Sequence, residues 1–174
     1  YEWAQSIICD FQNKVTDMKI VVFSDSHGAV SNMEDVMRRE HPELVLHLGD
    51  LCRDIEEIQR RFPQQTIQNV CGNCDGFTET PDQRILRVEG KRILMMHGHR
   101  YNVKLTYASA AYAAREAEAD ILLFGHTHIP YCEQVDGLWM LNPGSCGGRG
   151  ATYGVISLEN GEVMCYTVGI APER

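Results

Sequence analysis

Side chains able to bind a metal ion or move a proton are concentrated in five short clusters, each of which follows an apolar run. The clusters are Asp25-Ser26-His27, Gly49-Asp50, Gly72-Asn73-Cys74-Asp75, His97-Gly98-His99 and Gly125-His126-Thr127-His128. Successive clusters lie about 25 residues apart, the length of one strand and one crossover segment. Because the carboxyl ends of strands meet at one edge of an open α/β sheet, we expect the clusters to converge there.

The donor types favour a metal site over a set of unrelated turns. A single Asp after a strand is ordinarily a turn or helix-capping residue, and a single His is ordinarily a satisfied polar group. Two His-x-His pairs, however, share no capping role. A mononuclear site seldom needs more than four protein ligands, so a larger set of donors suits two divalent ions. The candidate ligands are Asp25, His27, Asp50, Asn73, His97, His126 and His128.

The donor types and the net charge limit which metals and which kinds of partner the protein can bind. Imidazole donors favour Mn, Zn, Fe, Ni or Co over Ca and Mg, and we expect two divalent metal ions, Mn first among them. With two carboxylates the loaded site would carry a charge of about +2, which attracts phosphate. The chain as a whole has a net charge of −8 and lacks the positive surface of a general nucleic-acid or membrane binder. Seven irregularly spaced cysteines indicate reduced thiols and a cytoplasmic location.

The hydrophobic pattern predicts alternating strands and helices followed by a β-rich tail, and therefore an α/β fold with two sheets. On the last helix we expect Leu105, Ala108 and Tyr112 to share one face. The predicted strands are 18–24, 44–48, 66–70, 93–96, 121–124, 131–136, 138–141, 151–158 and 162–168, and the predicted helices are 30–40, 54–62 and 104–119.

The domain is expected to begin at Met18, where the first apolar run starts. Residues 1–17 would then be an N-terminal extension, and 18–174 a single domain. An alternative is a helix in the extension, with Trp3, Ile7, Ile8 and Phe11 on its apolar face. The β-rich tail favours a homo-oligomer, without fixing the number of subunits.

The order and spacing of these motifs resemble the calcineurin-like metallophosphoesterase superfamily. The short length, the Gly-Asn-Cys-Asp and His-Gly-His motifs and Asn142-Pro-Gly-Ser145 resemble its small prokaryotic phosphodiesterase branch. The resemblance covers residues 18–168 and implies a four-layer sandwich of two mixed β-sheets flanked by helices. It also implies a division of the ligands in which Asp50 bridges both metals. One metal would take Asp25, His27, Asp50 and His128, and the other Asp50, Asn73, His97 and His126.

The activity implied by the resemblance is hydrolysis of a small phosphodiester by a hydroxide that bridges the two metals. Many family members have a histidine after Gly-Asn, thought to protonate the leaving group, whereas this chain has Cys74. A thiol is a weaker acid than imidazolium, so we expect diesters with good leaving groups to be preferred. His99 is the candidate for a substitute acid or a phosphate contact. Alternatives are a phosphomonoesterase and a non-catalytic scaffold, as the retromer subunit of this fold is.

Two further motifs have competing interpretations. Cys71 and Cys74 form a Cys-x-x-Cys pair, but a zinc ribbon needs a second pair and a redox role leaves the histidines unexplained. Residues 144–150 resemble a phosphate-binding loop, but a strand-like run follows where such a loop requires a helix, so we expect a hairpin turn. Asn142 and Pro143 are expected in a turn, and Arg149 is a candidate substrate contact.

Overall fold

The computed structural model describes residues 10–11 and 17–171, which form eleven strands, three α-helices and one 3₁₀ helix. The helices are α1 (Val30–Glu40), α2 (Cys52–Arg61) and α3 (Ala108–Glu116), with the 3₁₀ helix at His99–Tyr101. The strands are β1 (Asp10–Phe11), β2 (Met18–Phe23), β3 (Leu44–His47), β4 (Thr66–Asn69), β5 (Gln83–Val88), β6 (Lys91–Met96), β7 (Ile121–Leu123), β8 (Tyr131–Val135), β9 (Leu138–Asn142), β10 (Thr152–Glu159) and β11 (Glu162–Gly169).

Two mixed sheets face each other across an apolar core. One sheet has the order β1-β5-β6-β7-β9-β8, and the other the order β11-β10-β2-β3-β4. Core residues such as Ile20, Leu46, Ile93 and Leu123 lie fully buried between the sheets. Because β2, β3 and β4 run parallel, as do β6, β7 and β9, the carboxyl ends within each set share one edge. The predicted α/β fold with two sheets is confirmed.

Helices cover the outer faces and complete the predicted four-layer sandwich. Met33 and Met37 of α1 and Ile58 of α2 are buried against Phe23 and its neighbours in the five-stranded sheet. Each side chain of this size contributes roughly 1.5–3 kcal/mol when it is fully buried. The helix α3 covers the other sheet. No helix in residues 17–171 is both long and apolar enough to span a membrane.

The expected apolar face of the third helix is wrong. Leu105 and Tyr112 are 87% and 66% exposed, whereas Ala110 and Ala114 pack on the sheet. Small alanine side chains allow the helix backbone to approach the strands, and Tyr107 fills the space at its amino end beside Phe124. Residues before Ala108 form a turn rather than the first turn of a helix.

The sequence predicts a hairpin turn after β9, but the segment is instead a crossover between the two sheets. Strand β9 pairs with β7 and β8, while β10 pairs with β2 and β11. Residues 143–151, named here the crossover loop, therefore connect the two sheets.

Two further differences concern strands. Strand β5 was not predicted, because Gln83, Arg84 and Arg87 interrupt its apolar pattern. Phe11 lies in the short strand β1, which pairs with β5, and not in a helix. The rest of the expected extension, including Trp3, Ile7 and Ile8, lies outside the described residues.

Candidate metal centre

Four of the five predicted clusters occupy loops that leave the carboxyl ends of β2, β3, β6 and β7, and the Gly-Asn cluster follows β4. Backbone hydrogen bonds join neighbouring loops, with Asp25 N donating to Gly49 O at 3.0 Å and Gly125 N to His97 O at 2.9 Å. The loops are therefore fixed to one another as well as to the strands.

One group of candidate ligands surrounds the Asp25 carboxylate. Asp25 Oδ1 lies 3.0 Å from His128 Nε2 and 3.9 Å from His27 Nε2 and from His97 Nε2. Asp25 itself is fully buried, while His27 and His128 reach solvent. A carboxylate in the interior thus faces three imidazole nitrogens.

The second group surrounds the ring of His97. Its Nε2 lies 3.4 Å from Asp50 Oδ2 and 3.2 Å from both Asn73 Oδ1 and His126 Nδ1. Its Nδ1 contacts Leu48 O at 2.8 Å, which favours a proton on Nδ1 and leaves Nε2 either to carry a second proton toward Asp50 or, with a metal bound, to act as the lone-pair donor. All seven candidate ligands therefore lie in one cluster.

Each buried carboxylate uses one oxygen for the protein and directs the other at the imidazoles. Asp25 Oδ2 accepts hydrogen bonds from Ser24 Oγ at 2.5 Å and His126 N at 3.1 Å. Asp50 Oδ1 accepts one from Cys74 N at 2.9 Å, and its Oδ2 also lies 3.9 Å from His27 Nε2. These hydrogen bonds fix the orientation of both side chains.

The donor set fits divalent cations. Among residues 17–171, Asp25 Oδ1 is a buried oxygen that accepts no hydrogen bond, although imidazole nitrogens surround it. Ligand atoms within 4.8 Å of one another form two groups, Asp25 with His27 and His128, and Asp25 with Asp50 and His97. The close groups thus share Asp25, whereas the resemblance implies a shared Asp50. Carboxylate oxygens with imidazole nitrogens suit a borderline divalent metal.

Electrostatics keep Asp50 ionised. Burial alone would raise the pKa of Asp50, but hydrogen bonds from His97 and the Cys74 amide hold it well below its usual range. Burial likewise opposes the charged form of His97, yet the hydrogen bond to Asp50 and the charge of Asp25 raise its pKa. The cluster therefore contains an anion paired with a partner that prefers to be positive.

The two candidate catalytic residues border the cluster. The His99 ring lies 5.4 Å from the His97 ring between centroids, and its buried Nδ1 has no hydrogen-bond partner in the described part of the chain. Cys74 is exposed and contacts Asp50 through its backbone amide. Burial and the Asp50 carboxylate raise the pKa of the Cys74 thiol, which makes it a still weaker acid.

Five candidate ligands have left-handed backbone conformations, with φ of 52° at Asp25, 44° at His27, 61° at Asp50, 67° at His126 and 60° at His128. This conformation costs about 1–2 kcal/mol for a residue with a Cβ. Strained residues persist only where the surrounding structure determines their conformation, and they concentrate at functional sites. Here the strain turns the side chains of successive loops toward one point.

Two glycines permit the loops to approach. A Cβ at Gly125 would overlap Ser24 Oγ and lie 2.9 Å from Asp25 Oδ2. A Cβ at Gly72 would overlap Asp50 Oδ1 and lie 2.6 Å from Asp50 N. The glycines of the Gly-Asn and Gly-His motifs are therefore required by the contact between loops.

Several polar residues that the sequence analysis did not assign hold these loops in place. Asp75 accepts hydrogen bonds from the backbone amides of Asp50 at 3.0 Å and of Gly72 and Cys52 at 2.6 Å. Asp54 accepts two more, from Ser26 Oγ at 2.7 Å and Gly28 N at 2.8 Å. The position of Asp75 in the Gly-Asn-Cys-Asp motif was a usable signal, while nothing in the pattern distinguished Asp54.

Asn142 and His47 act in the same way from the strands. Asn142, expected in a turn, is the buried end of β9, and its side chain donates to Gly125 O at 3.1 Å and Thr127 Oγ1 at 2.9 Å. His47 Nδ1 accepts from Gly49 N at 3.2 Å, and burial lowers the pKa of His47 to about 4. Both therefore position loops that carry candidate ligands.

Comparisons with known proteins agree with this geometry. The family model described as "Calcineurin-like phosphoesterase superfamily domain" matches residues 18–161. The probable metallophosphoesterase YsnB of Bacillus subtilis is 34% identical over 150 residues, covering 82% of this chain and 86% of that protein. The phosphodiesterase YfcE of Escherichia coli is 27% identical, covering 80% and 87%. A predicted phosphoesterase of Streptococcus pneumoniae has a crystal structure that aligns with a TM-score of 0.75 at 27% identity, covering 90% and 91%.

Replacing Gly125 by alanine should separate the loops and weaken metal binding. We expect Gly125→Ala to lower the free energy of unfolding by about 2 kcal/mol and Mn²⁺ affinity at least about tenfold, because the new Cβ displaces Ser24 and Asp25. Urea denaturation and calorimetric titration measure both. The matched control is Gly169→Ala, where nothing lies within 4 Å of the added atom. Parent-like Mn²⁺ affinity in Gly125→Ala would contradict this account of the site.

The buried His47 should make the metal-free protein sensitive to mild acid. The unfolded chain binds a proton near pH 6.5, while the folded imidazole resists it down to a pKa of about 4. Stability should therefore fall by about 3 kcal/mol as the pH decreases from 6.5 to 4. His97 contributes in the opposite sense, so the measured quantity is the difference in slope between the parent and His47→Gln. Urea denaturation in EDTA at several pH values gives both slopes, and equal slopes would refute the prediction.

Proposed function

The chain belongs to the calcineurin-like phosphoesterase superfamily, a family of metal-dependent phosphoesterases, and from this premise we propose that it is a phosphodiesterase with two divalent metal ions. The observation that supports this most directly is the single cluster of seven candidate ligands, among which the buried Asp25 Oδ1 accepts no hydrogen bond. Similarity to the E. coli phosphodiesterase favours a diester as the substrate.

We assign the ligands as two sets that share Asp50. The resemblance implies this shared position, and Asp50 Oδ2 lies 3.9 Å from His27 Nε2 and 3.4 Å from His97 Nε2, one histidine of each set. The first set is Asp25, His27, Asp50 and His128, and the second is Asp50, Asn73, His97 and His126. When bound, Mn²⁺ or a similar ion would lower the pKa of a coordinated water and neutralise charge on the phosphoryl oxygens.

The chain's own contribution is orientation. Hydrogen bonds from Ser24 and from the amides of Cys74 and His126 hold the two carboxylates in fixed rotamers, so the ligand atoms need no rearrangement before the reaction. Exposed His27 and His128 leave the cluster open to solvent on one side, through which an ester can enter. Hydrolysis at such a site requires no side-chain nucleophile.

The residues at the border of the cluster, Cys74 and His99, favour substrates whose leaving group departs without being protonated. The Cys74 thiol, with its raised pKa, is a poor proton donor to an alkoxide. His99, whose ring lies 5.4 Å from that of His97, is our candidate for a contact to the phosphate or the leaving group. Diesters with acidic leaving alcohols therefore suit this site better than alkyl monoesters.

Loss of the shared carboxylate should abolish activity. We expect the Mn²⁺-loaded parent to hydrolyse bis(p-nitrophenyl) phosphate faster than p-nitrophenyl phosphate. Asp50→Asn should lower kcat/KM at least about a thousandfold, because it removes the negative charge of the ligand that both metal ions would share. The control is Asp136→Asn, at an exposed aspartate remote from the cluster. Elemental analysis and circular dichroism accompany the assays. A folded, metal-loaded parent inert toward both esters would favour the scaffold function instead.

Introducing a stronger acid at position 74 should widen the range of leaving groups that the protein can expel. Cys74→His should raise activity on esters of poorly acidic alcohols at least about fivefold relative to p-nitrophenyl esters, because imidazolium donates a proton at neutral pH more readily than a thiol. Cys74→Ser controls for loss of the sulfur alone. Steady-state rates on phosphodiesters of a series of phenols with graded acidity show how the rate depends on the acidity of the leaving group. If this dependence is the same in the parent and in Cys74→His, position 74 is excluded as the site of proton donation.

A further inference from the structure

The crossover loop lies directly against the strand end that carries Asp25 and His27. Ser145 Oγ donates to Asp25 O at 2.8 Å, and Cys146 N donates to Ser24 O at 3.1 Å. A Cβ at Gly147 would lie 2.7 Å from Ser26 O, which shows how closely the two backbones approach. The base of this loop is therefore fixed to the edge of the candidate metal centre.

The tip of the same loop carries an exposed arginine. Arg149 lies between Gly148 and Gly150, which have φ of 76° and 75° with open space around them. No carboxylate in residues 17–171 forms an ion pair with Arg149, in contrast to Arg100, which pairs with Asp82 at 3.0 Å. In a chain with a net charge of −8, an exposed guanidinium without a carboxylate partner, two residues beyond the close approach of Gly147 to Ser26, is available to an anion near the candidate metal centre.

A second exposed cation, Lys104, lies in the turn that follows the His97-Gly98-His99 cluster. Lys104 follows Val103, whose buried side chain anchors the turn to Gly98. Lys104 therefore belongs to the segment that follows the strand end carrying His97, whereas Arg149 belongs to the loop that contacts the strand end carrying Asp25 and His27.

We propose that Arg149 is a specificity-determining residue that binds a further phosphate group on one ester substituent of the substrate. The preferred substrate is then a short phosphodiester with an additional phosphate, such as a phosphorylated nucleotide ester. The planar guanidinium can bind such a phosphate through two parallel hydrogen bonds. The acidic surface opposes a long polyanion, so the inference concerns small molecules. It rests on the proposed phosphodiesterase function.

A pair of chromogenic substrates tests the inference. The probes are the p-nitrophenyl ester of thymidine 5′-phosphate with a free 3′-hydroxyl and the same ester with a 3′-phosphate. In both, water forms a new bond to the 5′ phosphorus, the aryl P–O bond breaks and p-nitrophenolate leaves. The parent should favour the 3′-phosphorylated ester about tenfold in kcat/KM, and Arg149→Gln should reduce this ratio to about two.

Two variants distinguish a local contact from a general field. Arg87 in β5 is also exposed and forms no ion pair within residues 17–171, but it precedes the hairpin at the opposite end of β6 from His97. Both Arg87→Gln and Lys104→Gln should keep the parent's preference ratio. A parent without preference, an unchanged ratio in Arg149→Gln, or an equal loss of ratio in Lys104→Gln would each overturn the proposal.

Direct binding provides a measure independent of turnover. Calorimetric titration of the Mn²⁺-loaded protein with thymidine 3′,5′-bisphosphate and with thymidine 5′-phosphate should give a Kd ratio of about ten in the parent and about two in Arg149→Gln. If neither ester is hydrolysed but the binding ratio holds, the phosphodiesterase function fails and Arg149 still binds phosphate. If both esters are hydrolysed and both nucleotides bind equally, the function stands and the role of Arg149 is refuted.

Discussion

Two carboxylates buried where the sheets meet determine most of the local structure. An ionised carboxylate is costly to bury unless hydrogen bonds and positive charge compensate for the lost water. Asp25 and Asp50 each obtain hydrogen bonds for one oxygen from neighbouring loops. The other oxygen of each faces imidazoles, and ligand oxygens of the two carboxylates also lie within 4.8 Å of each other. Neutral or partly charged imidazoles are a weak compensation for two negative charges so close together. Divalent cations complete this balance, so the fold and the metal requirement are parts of one electrostatic problem.

The same problem explains the unusual backbone. Donors from distant strands can surround one point only if the loops approach closely and turn sharply, which requires glycine at positions 72 and 125 and left-handed conformations at five candidate ligands. Strain of about 1–2 kcal/mol at each such residue is tolerable because the strands on either side are anchored in a continuous apolar core. Buried polar groups such as Asp75 and Asn142 transmit that rigidity from the strands to the loops.

The sequence predicted those features that depend on local pattern. Strands such as β2 and β3 are buried on both faces, so their residues form short apolar runs. The candidate ligands could be predicted because parallel strands end at one edge of a sheet. Metal-binding residue types recur after each such strand, about once per strand and crossover segment. By contrast, α3 buries alanines, and a periodicity search gives more weight to Leu105 and Tyr112, which are larger but exposed. Roles such as that of Asn142 depend on a contact with Gly125, far away in the chain, which no local pattern contains.

Net charge and local charge act on different length scales, which reconciles an acidic chain with an anionic substrate. At physiological ionic strength, interactions between exposed charges are largely screened beyond about 8 Å. A small ester in the cluster therefore experiences mainly the nearby groups, which are the two carboxylates and the metals they would hold. A long polyanion would also interact with the rest of a chain whose net charge is −8, which opposes its binding on average. The charge distribution thus favours anions small enough to remain within the field of the centre, and this selects by size as well as by chemistry.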